Sequence, residues 1–427
     1  MSKPVVNIWG TPEEAARTAA PAAPWDTKWD LGNRHTGSGT AWVFYSSRGE
    51  KTLKRPVILS DGFAPGGTNV DDLYDGLENG QYPFISTLRQ AGFDVVLLGF
   101  ADRTASIIDN AVIATECIMR AISEREGDAR LTVGGFSMGG LITRYALARM
   151  ERQQVDHEVS TYLSYDTPHR GAWLPLGVQA FARYVKDNWG GIGKPVLNSF
   201  SNLVNSPAAR QMLRWHLETA TGTTLDVADG QHQDRTDFLE ALEQVGEWPQ
   251  RPRLLGVANG TDTGAGNNIP AGDSAMESYG PRLVSRLDAQ GTGSRTVARM
   301  DKPGQEPTEI RTTGFPELDG APGGLFPQAP ALKNAANFGI AAMLAGRVND
   351  TEATLTHNTS TFVPTISAVS SDRIDNHDAL YSKIDSERSE LHDFKCATTN
   401  EGHTTMTREL GEWIVNQLKE ALPPVNP

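Results

Sequence analysis

The sequence predicts an α/β fold built on a doubly wound, mostly parallel sheet, with a helical cap insertion and a second, partly β insertion. Three observations predict it. Strand-like apolar runs alternate with helical patterns from residue 41 to residue 171, as βαβ units with right-handed crossovers require. At residues 130–147 an apolar run, a glycine-rich turn and a helix with three- and four-residue apolar spacing follow one another without a gap. Two stretches, 172–250 and 264–355, then interrupt the alternation, and strand-like runs resume after each.

Residues 1–40 are rich in Ala, Pro, Gly and Thr and read as an irregular arm anchored by Trp9, Trp25 and Trp29. Strands are predicted at 41–45 and 55–60, the second running into Asp61-Gly62-Phe63. A helix at 84–91 leads to a buried strand at 93–100. Residues 105–126 place Ile107, Ile108, Ala111, Val112, Thr115, Ile118, Met119 and Ile122 on one helical face. Beyond the helix that follows the glycine turn, a strand at 159–165 runs into Asp166-Thr167-Pro168-His169-Arg170-Gly171.

Residues 172–250 hold several helical patterns, one opened by Ser206 as N-cap with Pro207 behind it, another at 236–245 stopped by Gly246 and Pro249. An all-helical insertion here would roof the carboxyl ends of the strands. Residues 253–259 resume the sheet. In 264–355 short β-like pieces at 295–300 and 309–313 lie among Gly/Pro turns, with a loop at 320–324, a run too long for a plain connection and so an insertion or flap. Residues 361–369 are strand-like, and 404–422 form an amphipathic helix. The core on this reading comprises 41–171, 251–263 and 356–427.

A formal net charge of −13 and the lack of any Lys/Arg run argue against nucleic acid or an anionic membrane as the main partner. No apolar run is long enough to span a bilayer, and residues 1–9 carry no leader pattern. A cytoplasmic protein is expected, or a secreted one if a leader preceded Met1. Cys117 and Cys396 form neither a disulfide framework nor a metal motif, and Cys117 reads as core. Asp372, Asp375 and Asp378 beside His377 lack two-histidine or EF-hand spacing and read as a solvated loop. No metal and no cofactor is therefore expected.

The chemistry centres on Gly135-Phe136-Ser137-Met138-Gly139, a G-x-S-x-G sequence between a strand and a helix. A serine in so sharp a turn is forced towards positive φ, and side chains at Gly135 and Gly139 would collide with neighbouring segments. The turn exposes Ser137 Oγ and sets the Met138 N–H at a helix start, where donors and the macrodipole favour a developing anion. A serine needs a base. Among nine histidines, His403 lies in a loop just before the last helix, from where it can reach back over the serine turn.

The Asp-Gly-Phe loop, the serine turn and the late histidine, with Gly134-Gly135-Phe136-Ser137-Met138-Gly139-Gly140, Asp166-Thr167-Pro168-His169-Arg170-Gly171 and Phe362-Val363-Pro364-Thr365, resemble the α/β-hydrolase superfamily and within it bacterial serine esterases and lipases. The resemblance covers about residues 41–175, 251–263 and 361–423. It implies Ser137 as nucleophile, His403 as base, and the Phe63 and Met138 backbone N–H groups as the oxyanion hole. It places the acid after the strand that follows the cap, at Asp262. Similar lipases carry an aspartate just before the Val-Pro pair, where this chain has Thr359-Ser360-Thr361-Phe362, so Asp393 stands as a rival. Asp166-Thr167-Pro168-His169 reads as a strand-end turn whose Asp and Thr satisfy backbone donors, with pocket lining as the alternative. The Met138 and Phe63 side chains would touch substrate, an ester of a small-molecule or lipid-like kind. An acyltransferase, a cyclising thioesterase or an amidase would use the same groups, and a non-catalytic binding protein could share the scaffold.

Overall fold

Apolar runs bounded by turn residues become strands in the computed structural model, which describes residues 20–33, 37–47, 51–191, 194–218, 224–227, 232–328 and 335–421. In chain order the first eight are β1 (Thr27–Asn33), β2 (Gly37–Phe44), β3 (Pro56–Ser60), β4 (Asp94–Phe100), β5 (Leu131–Phe136), β6 (Val159–Tyr165), β7 (Thr224–Val227) and β8 (Arg253–Ala258). They are followed by β9 (Ser274–Tyr279), β10 (Val284–Asp288), β11 (Ser294–Asp301), β12 (Thr308–Thr313), β13 (Gly323–Leu325), β14 (Thr354–Leu355), β15 (Thr361–Pro364) and β16 (Asp393–Cys396).

The main sheet has the order β1-β2-β4-β3-β5-β6-β8-β16. From β4 to β16 all pairings are parallel, while β2 runs antiparallel to β4 and β1 antiparallel to β2. Alternate residues feed two cores. Ile58, Val96 and Leu98 pack with helices Ile107–Glu124 and Met138–Arg152, whereas Val57, Leu59, Val95 and Leu97 pack with Phe84–Ala91 and Arg408–Glu420. Helices thus cover both faces, and β4 and β5 are buried throughout.

Several expectations are corrected here. The stretch read as an irregular arm ends in regular structure: β1 alternates, turning Trp29 and Leu31 inward, within a stretch whose Ala, Pro, Gly and Thr content masks the pattern in sequence. Trp25 is 41% exposed and anchors little, and Trp9 lies outside the described residues. Helix Ile107–Glu124 buries Asn110, Ile113, Ala114, Cys117 and Ala121 besides Ile107, Ala111 and Ile118, and leaves Met119 44% exposed. Its inner face mixes three isoleucines with Asn110, Cys117 and three alanines, so it is rotated away from the face that the bulkiest apolar residues mark in sequence.

The insertions are not separable as a helical one and a partly β one. β7, inside the stretch read as all-helical, pairs in parallel with β12, completing a six-stranded sheet of order β14-β9-β10-β11-β12-β7. A four-residue edge strand has too few residues to show a period, and its partner decides it. Residues 264–355 therefore contain a structured sheet, with helix Asn337–Asn349 against it. The 361–369 run is a strand only as far as Pro364; it pairs antiparallel with β13, read in sequence as a loop, and then turns into a short helix, Thr365–Ala368. The strand that closes the main sheet is β16.

The second sheet is fastened to the first through Asp319. Trp173 Nε1 and the Gln290 N–H donate to its two carboxylate oxygens, both at 2.7 Å, and burial pushes the carboxyl up to about 6. Asp372 and Asp375 are ion-paired with Arg388 and with Arg214 and Arg373, so that cluster is a salt-bridged surface knot and not a solvated loop. Among the described residues no group of side chains is arranged to hold a metal ion, and no helix is long and apolar enough to cross a membrane.

Candidate active site

β5 delivers Ser137 to the carboxyl edge of the sheet. The chain reverses there with φ 52° and ψ −124° at Ser137, whose N–H donates to Tyr165 O at 2.8 Å on the neighbouring β6. The flanking glycines are forced by backbone. A Cβ on Gly135 would stand 2.4 Å from the Gly139 carbonyl carbon, and one on Gly139 would stand 2.3 Å from Ser60 O and 2.5 Å from Asp61 O. Since backbone cannot yield as a side-chain tip does, Gly139→Ala is expected to cost about 3 kcal/mol, read as a fall in the midpoint of thermal unfolding. An unchanged midpoint would refute the close approach. Helix Met138–Arg152 begins at the next residue, and its first N–H has no intrahelical acceptor. The Met138 side chain, expected to touch substrate, is wholly buried in the core beneath the turn.

His403 reaches the same edge from the loop before helix Arg408–Glu420, held by its own N–H to Leu325 O at 2.8 Å. Its ring stands edge-on to Phe362, 5.0 Å between centroids. His403 Nδ1 is 2.7 Å from Asp166 Oδ2, and both side chains are buried. Nε2 is buried without a hydrogen-bond partner, so no bond to Ser137 Oγ is formed in this structure, although both residues line one cavity.

The partner of His403 is therefore neither Asp262 nor Asp393. Asp393 opens β16, half-exposed, where its Oδ2 accepts from Arg253 Nη2 at 3.2 Å. Asp262 lies in the turn beyond β8, where its carbonyl accepts from Ile384 N–H at 2.8 Å. The carboxylate instead follows β6, one strand nearer the serine. Asp166 holds φ 46°, its Oδ1 accepts from the Asn259 N–H at 3.0 Å, and the lack of a side chain at Gly324 leaves it room: a Cβ there would meet Asp166 Oδ2 at 2.0 Å. Asn259, just past β8, also donates from Nδ2 to Thr405 O at 2.8 Å, tying the acid to the histidine loop. The reading of Asp166 as a mere strand-end turn is thus corrected: its carboxylate serves a backbone donor and an imidazole at once. Its place at the end of the strand adjacent to β5 was the available sequence signal.

His169 in the same segment is not free to act as a base. It is buried against Trp248 beside Arg144, and burial first, then the Arg144 and Arg170 charges, hold it well below its usual range. Arg144, stacked on Trp248 and donating from Nε to Glu247 O, is itself lowered to about 10 by burial.

Facing the serine turn is the Asp61-Gly62-Phe63 loop after β3. Gly62 passes so near that a Cβ would meet Ser137 Cβ at 3.1 Å. Asp61 is buried: Oδ1 accepts from the Gly62 N–H at 2.7 Å, and Oδ2 accepts from Thr68 Oγ1 at 2.7 Å and from Arg103 Nη1 at 3.1 Å. Phe63, Ser137 and His403 border a cavity of about 360 Å³. Its far wall is apolar, built by Leu174, Phe200, Leu203, Val204, Met212 and Leu213, mostly from helices Pro195–Val204 and Pro207–Met212. Its near wall carries Asp61, Asp72 and Arg103. Burial, and next the neighbouring Asp71, raise the Asp72 carboxyl, while the Arg103 charge works against them.

Residues 110–186, which include the serine turn and Asp166, match the family model described as "Putative serine esterase (DUF676)". A search of the curated proteins finds no match. Among solved structures, the mature lipase BlEst2 of Bacillus licheniformis shares 12% identity over 51% of this chain and 71% of that one, with a TM-score of 0.31. Carboxyl esterase 2 of Tuber melanosporum shares 14% identity over 55% and 77%, with a TM-score of 0.29. A lidless serine hydrolase of Xanthomonas campestris, XC6422, shares 14% over 54% and 83%, with a TM-score of 0.25. Strand order and the strained serine between strand and helix give the chain an α/β-hydrolase fold, and its segment 110–186 is similar to serine esterases.

Proposed function

We propose that the protein hydrolyses carboxylic esters with an apolar acyl part through an acyl-enzyme on Ser137. His403 takes the Ser137 proton as Oγ attacks the carbonyl carbon, and returns it to the departing alcohol; water then deacylates the enzyme by the same route. Asp166 holds the imidazole in the tautomer with the proton on Nδ1 and stabilises the imidazolium. The Met138 and Phe63 N–H groups receive the tetrahedral anion. The helices Pro195–Val204 and Pro207–Met212 act as a cap that shelters the acyl chain.

The observation that carries this reading is the 2.7 Å contact of a buried aspartate with a buried histidine on the cavity that holds a serine at positive φ. The unbonded Nε2 is compatible with it, because such bonds often close only with substrate present. A p-nitrophenyl ester series from acetate to palmitate tests it, with released acid quantified. Turnover is expected, with kcat/KM rising from acetate as methylenes enter the apolar wall, each worth about 0.8 kcal/mol when buried. Absence of turnover across the series, or acyl transfer to added amine in place of acid release, would overturn the hydrolase assignment.

A further inference from the structure

The loop that offers Phe63 carries a buried carboxylate of its own. Asp61 stands two residues before Phe63 and borders the cavity, its side chain 11% exposed. A fixed negative charge there opposes the growth of a second one on the substrate oxygen, since like charges in a poorly hydrated site repel strongly. One cation faces it. Arg103, beyond the end of β4, is 18% exposed in its side chain, and its Nη1 donates to Asp61 Oδ2 at 3.1 Å. Its Nη2 and Nε lie at 3.4 and 3.5 Å from the carbonyls of Pro65 and Gly66, and its own N–H donates to Gly66 O at 3.1 Å. Thr68 completes the fastening: its Oγ1 donates to Asp61 Oδ2 and accepts from the Phe100 N–H at 3.0 Å. The loop 61–68 is thus held to β4 by backbone bonds at its two ends, Asp61 N–H to Leu98 O and Thr68 N–H to Phe100 O, both at 2.8 Å, and by one guanidinium and one hydroxyl between side chains.

We infer that Arg103 is the positioning and charge-compensating residue of the oxyanion turn: it neutralises Asp61 and fixes the loop so that the Phe63 N–H meets an anion without an opposing charge beside it. This rests on the oxyanion role given to Phe63 above. Removing the guanidinium leaves the carboxylate in place, so the loss falls on the anionic transition state and little on the neutral ester. Asp61 and Arg103 can then offset each other's loss in a way that two merely structural residues would not.

The test uses the full chain and an alkylboronic acid, whose adduct on a serine is a tetrahedral anion. Arg103→Met is expected to lower kcat about 30-fold with KM changed less than about threefold, and to weaken boronate binding by a similar factor. Arg103→Lys, which keeps the charge, recovers most of that loss. Adding Asp61→Asn to Arg103→Met raises kcat about tenfold above the single variant, and Asp61→Asn alone binds the boronate more tightly because the cation is no longer offset. The inference is overturned if Arg103→Met keeps its kcat, or if the double variant is no better than Arg103→Met. Should Arg103→Met not fold, weaker boronate binding by Asp61→Asn overturns it equally. Ester hydrolysis that survives Ser137→Ala would instead sink the parent reading, and so is distinguishable.

Discussion

Ser137→Ala is expected to lower ester turnover by about a million-fold and to abolish covalent labelling by a fluorophosphonate. The size follows from the chemistry: without Oγ no acyl-enzyme forms, and nucleophile and base act as one unit, so loss of the nucleophile removes nearly all of their joint effect. Substrate binding should persist, because the apolar wall formed by Phe200, Leu203, Met212 and Leu213 keeps all its side chains when the hydroxyl is removed. Folding should persist as well, since the strained φ of 52° is imposed by the surrounding backbone and alanine differs from serine only by one oxygen. The check is the intact mass after fluorophosphonate treatment together with initial rates on a p-nitrophenyl ester. Labelling of the alanine variant at an undiminished rate would show that another residue is the nucleophile.

Asp166→Asn is expected to cost about 10⁴ in kcat while changing the fold little. Asn keeps a carbonyl oxygen for the Asn259 N–H, now accepted at 3.0 Å, but its amide NH₂ would then face the imidazole and favour the wrong tautomer. The negative charge that stabilises the imidazolium is also lost. The same change at Asp262 or Asp393 should leave kcat within about twofold, since neither carboxylate bonds His403 and Asp393 is engaged on the surface with Arg253. Steady-state kinetics on the three variants decide it. A large loss at Asp262 or Asp393 with none at Asp166 would return the acid to its sequence-expected place.

How much was legible varies with the range of the interaction that decides each feature. The Phe84–Ala91 helix and β6 match their predicted bounds, because each is a local apolar pattern closed by turn residues. The outward position of Met119 on Ile107–Glu124 was not legible, because Asn110, Cys117 and the alanines that share the buried face look weakly apolar in isolation. Nor was the six-stranded sheet: β7 and β12 are about eighty residues apart in sequence, and their pairing is a property of neither alone. At the site, the resemblance to hydrolases directed the acid to the strand after the cap. Asn259 stands just past that strand, and its N–H holds Asp166 from the adjacent one.

By itself the sequence determined the serine turn. Glycines on both sides of Ser137, an apolar strand before it and a helix after it leave the backbone few conformations, and those few expose the hydroxyl. It also determined that a mostly parallel sheet carries this turn, through the alternation of strand-like and helical runs over residues 41–171. Only the tertiary structure decided which carboxylate meets His403, because that contact joins residues 166 and 403 across the sheet, and several aspartates have the right chemistry. Burial at Asp166, room left by Gly324 and the donor at Asn259 select among them, and each of these exists only once distant segments have come together.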